Sequence, residues 1–342
     1  MKVALVGVGY WGEKILRNLV TLLGPARVVA VDVRLGGRAS IEGLYPGMRF
    51  CDSLETCLDD DEIGAVVLAT PGDTHARLGR QVLERHRHLL VEKPLATNIH
   101  DAYELAWMAA ERKLQLMVGH TFLFSPRVEA LTQAVWAGRI GQVQYVNTAR
   151  LNLGLFRDDI NVIWDLAPHD FSIVFHVLDE LPVTVQTMAR SSVRQGIPDV
   201  AFINLSFPSG AIASVAVSWR APRKVRNTMV VGDQGMVVYD DTQPDEPVKI
   251  YDRGVVAQES SSFGEHQLTY RYGDTVSPHV SAQEPLLVQL RHFLASIDGG
   301  GACLSDGWFG LEVVRALEAA ESSWRHGGHP VEVRAQTLKR PA

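Results

Sequence analysis

The sequence predicts an α/β protein in two parts: a doubly wound parallel sheet over residues 1–122, then an α/β domain with a mostly antiparallel sheet over 123–330. Three observations lead there. Up to about residue 120, short apolar runs alternate with helix-periodic segments, the pattern of a parallel sheet covered by helices on both faces. The turn Gly7-Val8-Gly9-Tyr10-Trp11-Gly12 stands between an apolar run at 3–6 and a helical pattern from Glu13. Beyond residue 140, strand-like runs follow one another with only short turns between them.

Taken in order, the first strand leads into the glycine turn. A second apolar run, Val28-Val29-Ala30-Val31, ends in Asp32, twenty residues beyond Gly12. Glycine spacing and a downstream acid together form a dinucleotide fingerprint. Gly7 permits the tight turn, Gly9 lets backbone N–H groups approach a pyrophosphate, and Gly12 lets the helix pack close to its strand. The helix N-terminus then faces the anion. Asp32 suits adenosine ribose hydroxyls and repels a 2'-phosphate, which favours NAD over NADP. Arg34 could pair with such a phosphate, so NADP stays open, or it is a solvated loop residue.

Residues 49–51 read as a third strand, with Ser53 capping a short helix at 54–58. A strand at 65–69 ends in Thr70-Pro71-Gly72-Asp73, and Asp73 or Thr74 caps a helix running to about residue 86. The run at 88–91 leads into Glu92-Lys93-Pro94, followed by a helix over about 100–112 and a strand at 114–118. Ligands of such sheets bind at the carboxyl ends of the strands. Thr70, Pro71, His75, Glu92, Lys93 and His120 all fall there. With Tyr10 and Trp11 of the glycine turn, all of these except His120 complete the expected cofactor set. Pro94 biases Lys93 toward an extended backbone at the strand's mouth, the alternative being a lysine on a mobile surface loop.

A helix over 126–137 precedes strands at 143–151, 183–189, 200–207, 211–219, 228–231 and 236–239. Residues 240–282 are polar and show little periodicity, which predicts a surface segment or an arm toward a neighbouring subunit. Two closing helices, 283–296 and 305–326, with Ser305 as cap and Gly327 as terminator, are expected to pack back on the first domain.

One helix, about 165–177, interrupts the strands and opens Trp164-Asp165-Leu166-Ala167-Pro168-His169-Asp170. Asp165 and His169 are four apart and share a face. Pro168 fits a helix only in its first turn, so the pair is expected at a helix start. His169 can accept a hydroxyl proton, and Asp165 can orient the ring and stabilise the imidazolium. A capping acid beside a backbone-bonded histidine is the plainer alternative. A metal set of Asp165, His169 and His176 has no further ligand to complete it, so no metal is expected.

The formal charge of −6 removes the commonest electrostatic reason for binding nucleic acid. No apolar run approaches a membrane span, and a first strand starting at Lys2 leaves no room for a signal peptide. The expectation is a cytoplasmic protein with a small-molecule partner. Cys51, Cys57 and Cys303, without a CxxC, read as core residues.

The glycine turn, Glu92-Lys93-Pro94 at a strand end and Asp165-x-x-x-His169 in a β-rich second domain together resemble the Gfo/Idh/MocA family, the glucose-fructose oxidoreductase and inositol dehydrogenase group. The resemblance covers nearly the whole chain. It implies a Rossmann domain and a second domain with a large open sheet, often used for subunit contacts, hence a homodimer or homotetramer. It also implies a Lys, Asp and His set between the domains, which falls on Lys93, Asp165 and His169. The activity implied is hydride transfer between NAD or NADP and a secondary alcohol or ketone of a sugar, nucleotide-sugar or cyclitol. The Trp11 turn and residues 150–156 are similar to members of nucleotide-sugar or antibiotic-sugar pathways.

On that reading His169 takes the hydroxyl proton, Lys93 hydrogen-bonds the oxygen and Asp165 holds the geometry, although Lys93 and His169 could exchange roles. His120, Arg150, Asn152, Arg157 and Asn161 are candidates for substrate hydroxyls or phosphates, or else polar surface. Two other functions remain open: NAD-dependent glycoside cleavage on the same fold, and non-catalytic dinucleotide sensing.

Overall fold

The computed structural model describes residues 1–32, 38–257, 268–299 and 301–333. Its contacts divide the chain into two units, Met1–Phe124 with Gln283–Arg315, and Ser125–Ala282 with residues 316–333. Arg34 lies outside the described residues.

The first unit is built on six parallel strands: β1 (Lys2–Val6), β2 (Val28–Val31), β3 (Arg49–Cys51), β4 (Ile63–Leu68), β5 (His88–Glu92) and β6 (Leu116–Gly119). Their Val- and Leu-rich runs are buried almost throughout, as strands covered on both faces must be. The spatial order is β3-β2-β1-β4-β5-β6. It reverses between β1 and β4, the switch point at which a crevice opens outside the strand ends.

Helices α1 (Tyr10–Leu23), α2 (Arg38–Leu44), α3 (Leu54–Leu58), α4 (Gly72–Glu84) and α5 (Ile99–Glu111) make the connections. The sequence pattern does not anticipate α2. Ser53 caps α3 as expected, its hydroxyl accepting from the Thr56 N–H at 3.2 Å. In α4 neither Asp73 nor Thr74 is the cap. Pro71 stands there without a side-chain cap, and the Thr74 hydroxyl, already inside the helix, turns back to the Pro71 carbonyl at 2.6 Å.

The second unit contains α6 (Pro126–Trp136), β7 (Val143–Leu153), α7 (Val162–Leu178), β8 (Thr184–Arg190), β9 (Val200–Ser206), β10 (Ile212–Ser218), β11 (Arg220–Gly232), β12 (Met236–Asp240), β13 (Val248–Ala257), β14 (Leu268–Val276) and β15 (Val331–Glu332). Its strands form one sheet in the order β14-β13-β12-β11-β7-β10-β9-β8-β15. Neighbours are antiparallel except β7 and β10, which run parallel. Strand alternation divides the residues between two faces. Val185, Ala201, Ile203, Ala213, Val215 and Val217 are buried on the side that α7 covers. Tyr145, Met188, Phe202 and Ile212 share the other side, 40 to 71% exposed.

Two expectations are corrected in this unit. Residues 240–282 do not simply wander: β13 and β14 extend the sheet to its edge. Edge strands bury little on their outer side, so their apolar periodicity is weak. The interrupting helix α7 starts at Val162, three residues earlier than the sequence suggests, because Asn161 caps it, Oδ1 accepting from Ile163 and Trp164 N–H at 3.0 and 3.2 Å. Pro168 therefore sits in the second turn, where it has no N–H to offer the Trp164 carbonyl.

Helices α8 (Pro285–Ile297) and α9 (Gly307–Arg325) follow. Leu286, Leu290 and Phe293 of α8 join Ile15, Leu16 and Leu19 of α1 in the core of the first unit. The division between the units falls within α9, so only its first part groups with the N-terminal sheet. Asp306, not Ser305, caps α9, accepting from the Phe309 N–H at 2.7 Å. The Ser305 hydroxyl donates instead to the Val118 carbonyl of β6 at 2.8 Å. The three cysteines are buried free thiols. No helix among the described residues is long and apolar enough to cross a membrane.

Candidate active site

The glycine turn is closely confined. Gly7 has φ +89°, and a Cβ there would stand 2.7 Å from the Ala69 carbonyl oxygen at the end of β4. A Cβ on Gly12 would meet the Gly7 carbonyl at 2.0 Å. Gly9 is the N-cap of the 14-residue α1 and carries no capping side chain, so no side chain of its own covers the first-turn N–H groups. Asp32 Oδ2 accepts from the Val8 N–H at 2.8 Å and ties the turn to the end of β2. These residues fit an anionic pyrophosphate at a helix N-terminus.

At the mouth of β5, Glu92 is buried and accepts a 2.7 Å hydrogen bond from Trp11 Nε1. Burial pushes its carboxyl up from 4.5 to about 7, against the opposing pull of the Trp11 N–H and the Lys93 charge. A raised native value means that the folded protein binds this proton more tightly than the unfolded chain. Stability from this group is therefore full below about pH 4.5 and is lost as pH rises through about 7. Glu92→Gln should abolish that loss. Urea unfolding is expected to show the variant more stable than wild type at about pH 8, by up to about 3 kcal/mol, and equal to it near pH 4. An equal difference at both pH values would show that the buried charge is not its cause.

His75 and His120 lie near the strand ends, as the sequence suggests, but both rings are buried and neither is open to a ligand. His75 is fully buried on α4, with Nδ1 2.8 Å from the Pro94 carbonyl oxygen and Nε2 2.9 Å from that of Thr70. Each ring nitrogen faces a backbone carbonyl, and the single N–H of the neutral, buried ring goes to one of them, which leaves it no donor for a cofactor. His120, 1% exposed, lies edge-on against Phe309, and neither nitrogen has a hydrogen-bond partner. Burial, assisted by the Lys93 charge, pushes it down to about 3. It is a covered, neutral ring, not a group open to a substrate hydroxyl.

In the second unit, Asp165, Leu166 and His169 are the partly exposed residues in an otherwise buried stretch of α7 that runs from Val162 to Asp170. The i, i+4 pair thus lies along one open strip. Asp165 Oδ2 accepts from Trp219 Nε1 at 3.0 Å, and the buried Trp219 in turn meets Phe156 edge-on at 5.9 Å. Sequence reasoning misses Trp219 because 54 residues separate it from Asp165 and its strand end carries no local mark.

Three of the substrate candidates have structural partners. Arg150 is buried and bidentate with Asp170, Nε and Nη2 donating to the two carboxylate oxygens at 2.7 and 3.2 Å. Burial pushes the Asp170 carboxyl up, and the Arg150 guanidinium pulls it back. Asn161 is the α7 cap, and Arg157 makes a bidentate pair with Asp159 at 3.0 and 2.6 Å on the surface. Asn152 remains partly exposed on β7. His176 lies against the Trp136 ring, centroids 5.1 Å apart.

The structure thus gathers Gly7, Trp11, Thr70, His75, Glu92, Lys93 and His120 at the strand ends of the first unit. In the second it sets Asp165 beside His169, with Trp219 behind the carboxylate.

Residues 1–120 match the model of the oxidoreductase family with an NAD-binding Rossmann fold, and residues 128–238 match the GFO/IDH/MocA C-terminal domain. An inositol 2-dehydrogenase of Mycolicibacterium smegmatis is 28% identical over 217 residues, spanning 61% of this chain and 63% of that protein. A UDP-N-acetylglucosamine 3-dehydrogenase of Acidithiobacillus ferrooxidans is 27% identical over 219 residues, 64% of this chain and 67% of that one. Among solved structures, GenD2 from gentamicin A biosynthesis, in complex with NAD, superposes with a TM-score of 0.81 at 26% identity, covering 98% of this chain and 97% of its own. Two family matches in sequence order, one on the parallel sheet with its glycine turn and one on the mixed sheet with α7, establish that the chain belongs to the GFO/IDH/MocA family of oxidoreductases.

Proposed function

We propose that this protein is a dehydrogenase or ketoreductase acting on a secondary alcohol or ketone of a sugar, nucleotide-sugar or cyclitol. The observation that carries the reading is the open Asp165–His169 strip on a helix whose neighbouring positions are buried. Relatives named for oxidation of inositol and of a UDP-sugar support the substrate class. The turn from Gly7 to Gly12 takes the pyrophosphate on its N–H groups, and Asp32 takes the adenosine ribose hydroxyls. The Asp32 charge favours NAD over NADP. Bound NAD supplies the hydride acceptor.

His169 accepts the hydroxyl proton as the carbinol is oxidised, and Asp165, anchored by Trp219, holds the imidazole. Lys93 hydrogen-bonds the same oxygen. Asn152 remains for substrate hydroxyls, and Arg157, whose pair with Asp159 is on the surface, for phosphates.

The test presents the purified protein with NAD or NADP and with myo-inositol, free hexoses, and UDP- and dTDP-hexoses, following absorbance of the reduced cofactor. Reduced NAD equal in amount to the ketone formed is expected with at least one of them. Glycoside cleavage without net NADH would replace the dehydrogenase reading with lyase-like or hydrolytic use of a retained cofactor. A preference for NADP would overturn the role given to Asp32.

A further inference from the structure

Lys93 stands between two residues that are each held from a distant element. On one side, Glu92 makes the last ladder pairing of β5, with Gly119, and accepts from Trp11 at the start of α1. On the other, the Pro94 carbonyl meets the buried ring of His75, which also reaches the Thr70 carbonyl at the end of β4. We propose that Trp11 and His75 are positioning residues that fix the Lys93 backbone, and through it the ammonium group, instead of contacting the cofactor. The inference rests on the proposed role of Lys93 at the substrate oxygen.

The physical argument starts from the lysine itself. A flexible four-carbon stem cannot define where its ammonium sits, so precision must come from the backbone that carries it. The β5 ladder ends at Glu92, and α5 does not begin until Ile99. Between them the segment has no strand or helix to hold it. Trp11 pins the residue before Lys93 and His75 pins the residue after it.

Both holds are well placed to resist loss. His75 is fully buried, and the Glu92 carboxyl that Trp11 meets is buried too, so an opened hydrogen bond would leave a polar group without water. The Trp11 ring itself is 37% exposed, with the Lys14 ammonium 5.0 Å from its centroid. Only its N–H edge is committed inward. Trp11→Phe therefore removes the hold while leaving little else to collapse. At His75, asparagine keeps a donor near the place of Nδ1, whereas leucine offers none.

The experiment reads Lys93 directly. The chain has only seven lysines, so isotopically labelled dimethyl groups on their amines give a countable set of NMR signals, with that of Lys93 assigned by Lys93→Arg. In the wild type the Lys93 signal is expected away from those of the solvated lysines. Trp11→Phe and His75→Leu should move it toward them, and His75→Asn should hold it near its original place. With the substrate found in the screen above, the first two variants should lose about tenfold or more in kcat, as small misplacements do, while NADH affinity stays within about twofold. In a Lys93→Ala background the same replacements should add almost nothing.

An unmoved Lys93 signal, losses that simply multiply with Lys93→Ala, or a weakened NADH affinity that accounts for the whole loss would each overturn the inference. Lys93→Ala with unchanged kcat would overturn the catalytic reading of Lys93, which is a separate failure. Should His75→Leu not fold, the Trp11→Phe cycle decides alone.

Discussion

His169→Ala is expected to lower kcat on the order of a hundredfold to ten-thousandfold, the usual worth of a placed proton acceptor, with cofactor affinity unchanged. Lys93→Ala should fall by a comparable amount if its hydrogen bond to the reacting oxygen strengthens as negative charge builds there. The two residues are separated by the pH dependence of kcat/KM. An imidazole acting as base must lose its proton before the reaction, so the rate should rise with pH and then level off. That rising limb should vanish in His169→Ala and survive in Lys93→Ala. If it vanishes only in Lys93→Ala, the lysine is the proton acceptor and the histidine the positioning group. A His169→Ala protein within about twofold of the wild-type kcat would take the imidazole out of the chemistry.

How much of this was legible in the sequence depended on how local each signal was. The glycine turn, Asp32 and the Asp165–His169 spacing are short-range patterns whose geometry follows from strand and helix periods alone. They needed no tertiary information. With α7 starting at Val162 and not at Asp165, Pro168 falls in the second turn, yet Asp165 and His169 stay on one face, because four residues are about one turn wherever the helix begins.

His75 shows a signal that was present and unused. Its helix buries His75, Ala76, Leu78, Gly79, Val82 and Leu83, an i, i+3, i+4, i+7 stripe that places residue 75 on the inner face. Position at a strand end points the ring to a ligand, whereas the stripe points it to the core.

Trp219 and Asp170 could not be assigned in the same way, since their roles lie in contacts with Asp165 and Arg150 made by folding the chain back on itself. Arg150 on a strand, seen alone, reads as a cation at a sheet surface. Only the structure shows the carboxylate that takes it.

That carboxylate carries the largest stability effect expected of the protein. The Arg150 and Asp170 side chains are 5% and 2% exposed, so removing one leaves the other charged in a medium that cannot solvate it. Asp170→Ala should lower the unfolding free energy by about 3 to 5 kcal/mol, measured by urea or thermal unfolding. Asp170 lies on α7 next to His169, and Arg150 lies on β7 opposite Arg226, which is itself bound to Asp241 at 2.8 Å. The pair thus fastens the helix that presents His169 to the sheet beneath it.

Removing both charges tests whether fastening is the whole of its role. Arg150→Met with Asp170→Val nearly keeps the combined volume and abolishes the unpaired charge, so most of the lost stability should return. In that folded double variant kcat/KM for a phosphate-bearing sugar should stay within about tenfold of wild type, a loss too small for a deleted bidentate contact to a charged group. A stable double variant that has lost such substrates by a far larger factor would return Arg150 to the substrate site and make Asp170 the group that aims it.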